Sequence, residues 1–139
     1  MATIYLIGSL RNPEVPKVAQ ALRAEGHEVF DEWFSAGPEA DDWWQRYEMD
    51  RGHSYLQALD AYPAWHTFNY DHCHLGRMDV GVLMTPAGKS AHLEFGYMIG
   101  KGKRGYVLLD KIPDRWDVML RFANGVYDDL GPLLNILRT

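Results

Sequence analysis

The sequence holds a single cysteine, Cys73, among 139 residues. One cysteine excludes an intrachain disulfide and sets the expected compartment as the reducing cytoplasm. Basic residues are in deficit: 14 Lys and Arg stand against 19 Asp and Glu, a net charge of −5. Binding to a nucleic-acid backbone calls for a basic stripe, so that class of function is set aside. A small anionic ligand is not, because a few local donors can hold one phosphate. No run approaches the roughly 18 apolar residues that a membrane helix needs. The N-terminus, Met-Ala-Thr-Ile-Tyr-Leu-Ile-Gly, lacks the basic region of a signal peptide. Repeats, low-complexity segments and linkers are missing, and the length is that of one domain spanning 1–139. Neither a Walker loop nor a Gly-x-Gly-x-x-Gly dinucleotide loop occurs. What is present, 47% hydrophobic and 13% aromatic residues, suffices for a substantial core.

Short apolar runs alternate with helical spacing. Thr3 to Ile7 reads as a buried strand, and Val15, Val18, Ala19 and Leu22 recur at helical intervals up to a C-terminal Gly26. Val29 and Phe30 form a second strand, ending in Asp31-Glu32-Trp33. After the Gly37-Pro38 loop, Asp41 and Asp42 favour a helix start, and aromatic residues from Trp43 to Leu59 predict one long helix weakened at Gly52. Pro63 opens another helix, with Trp65, Phe68, His72 and Leu75 on one side. Val80 to Met84 is the third strand. Thr85-Pro86-Ala87-Gly88 turns the chain, and Ser90 is placed to cap a helix that ends near Gly100 or Gly102. Gly105 to Leu109 is a fourth strand, Pro113 to Phe122 a short helix or turn, Asn124 to Tyr127 a weak fifth strand, and Leu130 to Leu137 a final helix. The alternation predicts a parallel sheet with helices on both faces, in the flavodoxin-like order 2-1-3-4-5.

That order places the switch point between strands one and three, where the Ser9 loop and the Glu94 helix lie side by side. Glu94, just beyond a strand end and flanked by Ser90 and Tyr97 on one helical face, is the candidate nucleophile. An early-helix Glu is also a common partner of the helix dipole. Ser9, Arg11 and Asn12 offer hydroxyl, guanidinium and amide donors to a phosphate or sugar hydroxyl; the plainer alternative is a capped polar turn. Gly88-Lys89-Ser90 lacks the upstream Gly of a phosphate loop. Its glycine turn and Ser90 either line the pocket or simply cap the helix. Gly96 and Gly100, four apart, favour close packing of this helix. Asp71, among Trp65, Phe68 and Leu75, is either a desolvated proton donor or a solvent-facing helix residue. Asp79 closes a turn before its strand. His66, His72, Cys73 and His74 have no zinc spacing, and His72 and His74 point away from each other on a helix, so no metal site is expected.

Taken together, Tyr5…Ser9-x-Arg11, Asp31-x-Trp33, Asp71, Asp79 and Pro86-x-Gly88-x-Ser90-x-x-x-Glu94-x-Gly96-Tyr97 resemble the nucleoside 2-deoxyribosyltransferase family. That family includes 2′-deoxynucleoside 5′-phosphate N-hydrolases and related nucleotide N-glycosidases. The resemblance runs from the first strand to about Lys103. It implies a flavodoxin-like fold, assembly as dimers or larger rings, and cleavage of an N-glycosidic bond without a cofactor. Glu94 matches the nucleophile that attacks C1′ of the sugar, Asp71 the acid that protonates the leaving base, and Tyr5 a tyrosine beside the nucleophile. Ser9 and Arg11 match positions that hold a 5′-phosphate, and Gly88 and Ser90 the loop around the sugar 5′ end. Asp31 and Trp33 complete the implied substrate contacts. Release of the sugar to water makes a hydrolase; passage to a second base makes a transferase. A nucleotide-binding module without turnover is the reading from another class. Two stretches depart from the family pattern. Asn124 to Asp129 aligns poorly, and the aromatic insert from Trp43 to Trp65 could rebuild the base pocket, with Trp33, Trp43 or Trp44 stacking on the base.

Overall fold

The structure is a computed structural model describing residues 1–139. Five parallel strands form one sheet in the order β2-β1-β3-β4-β5, as the alternation predicts. They are β1 (Thr3–Ile7), β2 (Glu28–Phe30), β3 (Val80–Met84), β4 (Arg104–Leu108) and β5 (Gly125–Tyr127). The helices are α1 (Val15–Ala24), α2 (Ala40–Asp50), α3 (Tyr55–Leu59), α4 (Tyr62–Arg77), α5 (Lys89–Gly100) and α6 (Leu130–Leu137). Short 3-10 turns occupy Glu32–Ala36 and Val118–Phe122. No helix is long and apolar enough to cross a membrane.

The central strands β1, β3 and β4 are buried on both faces, which is why they read as continuous apolar runs. Alternation still decides which layer each side chain joins. Ile4, Leu6, Val80 and Val82 pack under α1 and α6, through Val15, Val18, Leu22, Leu133 and Leu137. Tyr5, Ile7, Leu83 and Val107 point the other way and pack under α4 and α5, through Leu75, Ala91, Phe95 and Met98. Tyr5 therefore faces α5 because it sits one residue out of phase with Ile4.

Two sequence expectations are corrected here. The predicted long helix from Asp41 to Leu59 is two helices. Gly52 takes φ +80, a left-handed backbone that ends α2, and Ser54 restarts the chain as α3. Ser54 Oγ accepts the Gln57 N–H at 3.2 Å while Gln57 Oε1 accepts the Ser54 N–H at 2.9 Å, a reciprocal cap that outweighs helix continuation.

Nor do Gly96 and Gly100 mediate close packing: a Cβ at either position would meet nothing. The glycines that admit α5 to the sheet lie in the strands. A Cβ on Gly81 would meet Met98 Sδ at 2.9 Å, and one on Gly105 would meet Ile99 Cδ1 at 2.5 Å and Phe95 Cε1 at 2.9 Å. Gly105→Ala is accordingly expected to destabilise the protein by about 1–3 kcal/mol, read as a shifted urea midpoint. It should also displace Glu94, which α5 carries.

Candidate active site

A cleft of about 750 Å³ opens at the C-terminal ends of β1 and β3, the predicted switch point. Tyr5 forms its floor and is 1% exposed. Its hydroxyl donates to Glu94 Oε2 at 2.8 Å, joining β1 to α5. Glu94 stands beside the core anchors Ala91, Phe95 and Met98, whose burial fixes the rotation of α5. Asp71 enters from α4. That helix is seated by Tyr70 against Phe30, ring centroids 5.7 Å apart, and by His74 stacked on Phe30 at 3.9 Å. His72 Nε2 and the Tyr97 hydroxyl share a hydrogen bond at 3.0 Å, which ties α4 to α5 close to both carboxylates. Tyr97, expected to share the Glu94 face, is turned to this tie and does not line the cleft.

The electrostatics follow from burial. Desolvation pushes Glu94 up to about 7, offset in part by the Tyr5 hydrogen bond and reinforced by the charge of Asp71. Desolvation likewise raises Asp71 to about 6. The Tyr5 phenol is raised far above its ordinary range by burial and by the nearby Glu94 charge, so it remains a donor. Two carboxyl groups that exchange protons near neutrality, one held by a phenol, can supply a nucleophile and an acid to a single substrate.

The loops complete the cleft. Ser9, Arg11, Trp33, Gly88 and Ser90 all line it. Arg11 leans towards α2, with Nε donating to Pro38 O and Nη2 bonding Asp42 Oδ2, both at 3.4 Å. Trp33 donates its indole N–H to Leu6 O at 2.8 Å, which fixes a flat ring at the end of β1. Gly88, not Ser90, caps α5: the His92 N–H bonds Gly88 O at 3.3 Å, and Ser90 falls in the first turn with its hydroxyl uncommitted to capping. The helix cap makes no side-chain hydrogen bond, so the N–H groups of this first turn are open to an acceptor on a ligand.

Two expected contacts lie outside the cleft lining. Asn12 is 8% exposed and is consumed by its own turn, with Oδ1 accepting the Glu14 N–H at 3.0 Å. Asp31 is held by Arg23 at 2.5 Å. Of the aromatic insert, Trp44 lines a separate cavity between α2 and α3, and Trp43 is an exposed partner of Arg46. Sequence reasoning missed Thr67, Tyr70 and Lys89 as lining residues. Thr67 is four residues before Asp71, a helical spacing that could have been used to find it.

The sequence matches no family model and no curated protein. Solved structures do match. The structure is similar to that of a 2-deoxyribosyltransferase from the psychrotolerant bacterium Bacillus psychrosaccharolyticus, with a TM-score of 0.64 and 19% identity over 96% of this chain and 91% of that one. It is also similar to the CMP N-glycosidase of Clostridium botulinum, with a TM-score of 0.58 and 14% identity over 99% of both chains. At such identities the likeness establishes a shared α/β flavodoxin-like fold along nearly the whole chain.

Proposed function

We propose that this protein is an enzyme that cleaves the N-glycosidic bond of a (2′-deoxy)nucleoside or its 5′-monophosphate. The observation that carries this reading is the buried Glu94 carboxylate, hydrogen-bonded by Tyr5 and sharing its cleft with Asp71. A Glu94 oxygen attacks C1′ as the C1′–N bond breaks and its electron pair leaves with the base. Asp71 gives that base a proton. Water then attacks C1′, the sugar–Glu94 ester bond breaks, and Asp71 takes up the proton of the water. Ionised Glu94 also stabilises the oxocarbenium-like charge before the ester forms. Trp33 supplies a fixed ring for the base. Ser9, Arg11 and the first turn of α5 hold the 5′ end, with Gly88 and Ser90 around the sugar. The likenesses to a deoxyribosyltransferase and a nucleotide N-glycosidase support bond cleavage of this kind.

The second reading, transfer of the sugar to another base, is favoured by the first of those likenesses. The test is incubation with each nucleoside and 5′-monophosphate, with free base followed by chromatography. Base release to water is expected. Base exchange outrunning release, once a second base is added, makes the enzyme a transferase. Absence of both, in the presence of ligand-induced stabilisation, leaves a binding module.

The same reading carries a homo-oligomer. Trp43, Tyr47, Tyr55, Tyr62, Trp65 and Phe68 are all exposed on α2 to α4, and a second copy is their proposed cover. Sedimentation at micromolar concentration should give a dimer or larger species.

A further inference from the structure

The two carboxyl groups of the cleft stand on different helices, Asp71 on α4 and Glu94 on α5. Both helices pack on one face of the sheet, through Leu75 on α4 and Ala91, Phe95 and Met98 on α5. Apolar contacts of this kind hold a helix down on the sheet but are non-directional, so they set its sliding and tilt only loosely. α4 runs into the start of β3 and α5 leaves from its end, so the two helices are antiparallel. Their ends remote from the cleft are joined by Lys103, just after α5, whose ammonium donates to Gly76 O at 2.7 Å and to Met78 O. Between the helices themselves there is one side-chain hydrogen bond, His72 Nε2 with the Tyr97 hydroxyl at 3.0 Å. It is the last polar link between them before the cleft.

Both the place of that bond and its bracing are specific. His72 directly follows Asp71, and Tyr97 lies three residues, less than one turn, beyond Glu94. The His72 ring is stacked on Phe68, one turn back on α4, with centroids 5.3 Å apart and planes 16° from parallel. The Lys101 ammonium lies 5.6 Å from the centre of the Tyr97 ring, one turn further along α5. The two rings of the bonded pair meet edge to face at 5.2 Å. Each partner is thus held by a neighbour on its own helix. The bond is solvent-exposed, and an exposed hydrogen bond adds little to the stability of a fold. Neither side chain lines the cleft. A braced bond that touches no substrate and stabilises little is suited to setting a distance.

We propose that His72 and Tyr97 are positioning residues, whose hydrogen bond sets the separation of Asp71 and Glu94. This rests on the reading of those two as acid and nucleophile. The acid must reach the base while the nucleophile reaches C1′, and an error of about 1 Å in such a pair costs about 10²-fold in rate. Without the bond, two carboxyl groups that repel when both are ionised spread apart at the cleft end of the helix pair. The charge of Asp71 then raises Glu94 less.

The experiment compares wild type with Tyr97→Phe, His72→Phe and the double variant, all of which keep a flat ring at each position. NMR of isotope-labelled side-chain carboxyls follows the titration of Asp71 and Glu94, and base release gives kcat and KM. Each single variant is expected to narrow the gap between the two titration steps. Each should also lower kcat by about tenfold, with KM within about twofold of the wild type. The double variant should fall no further than the singles, because all three remove one bond. The urea midpoint should stay close to that of the wild type. Tyr5, the other titratable group bonded to Glu94, keeps its bond in every variant. Unchanged carboxyl titrations in the single variants overturn the proposal, whatever happens to the urea midpoint. Wild-type kcat in the variants of an active enzyme, or additive losses in the double variant, overturn it too. If the wild type releases no base, the titrations decide alone. A narrowed gap then keeps the bond as what sets the separation, while the reading of the pair as acid and nucleophile falls.

Discussion

Glu94→Gln should abolish base release, by about 10³-fold or more, while leaving the fold at least as stable at pH 8 as the wild type. The amide keeps an oxygen for the Tyr5 hydroxyl but cannot form the glycosyl ester. Its effect on stability follows from burial. The unfolded carboxyl releases its proton near 4.5 and folded Glu94 near about 7. Between those values the folded protein binds more protons than the unfolded chain, so stability contributed by this group falls as pH rises through that window. The loss is of the order of 3 kcal/mol, and it persists above pH 7. Gln carries no such penalty. Melting curves at pH 5 and pH 8 should therefore show a smaller decline in the variant than in the wild type. A variant that releases base at the wild-type rate removes Glu94 from the chemistry.

Asp71→Asn is the second large effect, a loss of about 10²-fold or more at neutral pH. On the proposed mechanism the working state is singly protonated, with Glu94 ionised and the acid proton on Asp71; it is the minor of the two singly protonated forms, because Glu94 at about 7 holds its proton more tightly than Asp71 at about 6. With carboxyl groups at about 6 and about 7, the wild type should show a narrow bell in kcat/KM centred between them. The two limbs belong to the pair. In Asp71→Asn the alkaline limb disappears, because no acid remains to lose its proton. The limb that remains is the ionisation of Glu94 alone, which lies below about 7 because the Asp71 charge no longer raises it. A substrate whose base leaves without protonation should recover most of the lost rate. An unaltered bell in Asp71→Asn, or no rescue by the better leaving group, assigns the proton to another residue.

How much of this was legible in the sequence depended on whether local pattern or distant contact made the decision. The strands were readable because burial on both faces leaves Ile4 to Ile7 and Val80 to Met84 as unbroken apolar runs. Their order followed from handedness and short connections. Glu94 was readable from its place after β3. The break at Gly52 was obscured because aromatic residues continue at helical spacing on both sides, although Ser54-x-x-Gln57 is itself a capping signal. Asn12 and Asp31 looked like donors and acceptors for a ligand. A turn claimed the first, and Arg23, brought alongside by the return of α1 to β2, claimed the second. Gly96 and Gly100 had the spacing for close packing, but Ala91, Phe95 and Met98 set the rotation of α5 and turned those glycines away from the sheet. The His72–Tyr97 bond depends on how two helices meet, which periodicity does not encode.

The Tyr5–Glu94 hydrogen bond spans 89 positions along the chain. Its two ends come together only when β1 has found β3 and α5 has docked across them, both non-local events with a loop-closure cost. Local helices can form long before this. Activity is thus a late reporter in refolding: it should return after helical circular dichroism, in step with closure of the central strands. A nascent chain that has not yet emerged through α5 holds a tyrosine and an aspartate, but no site.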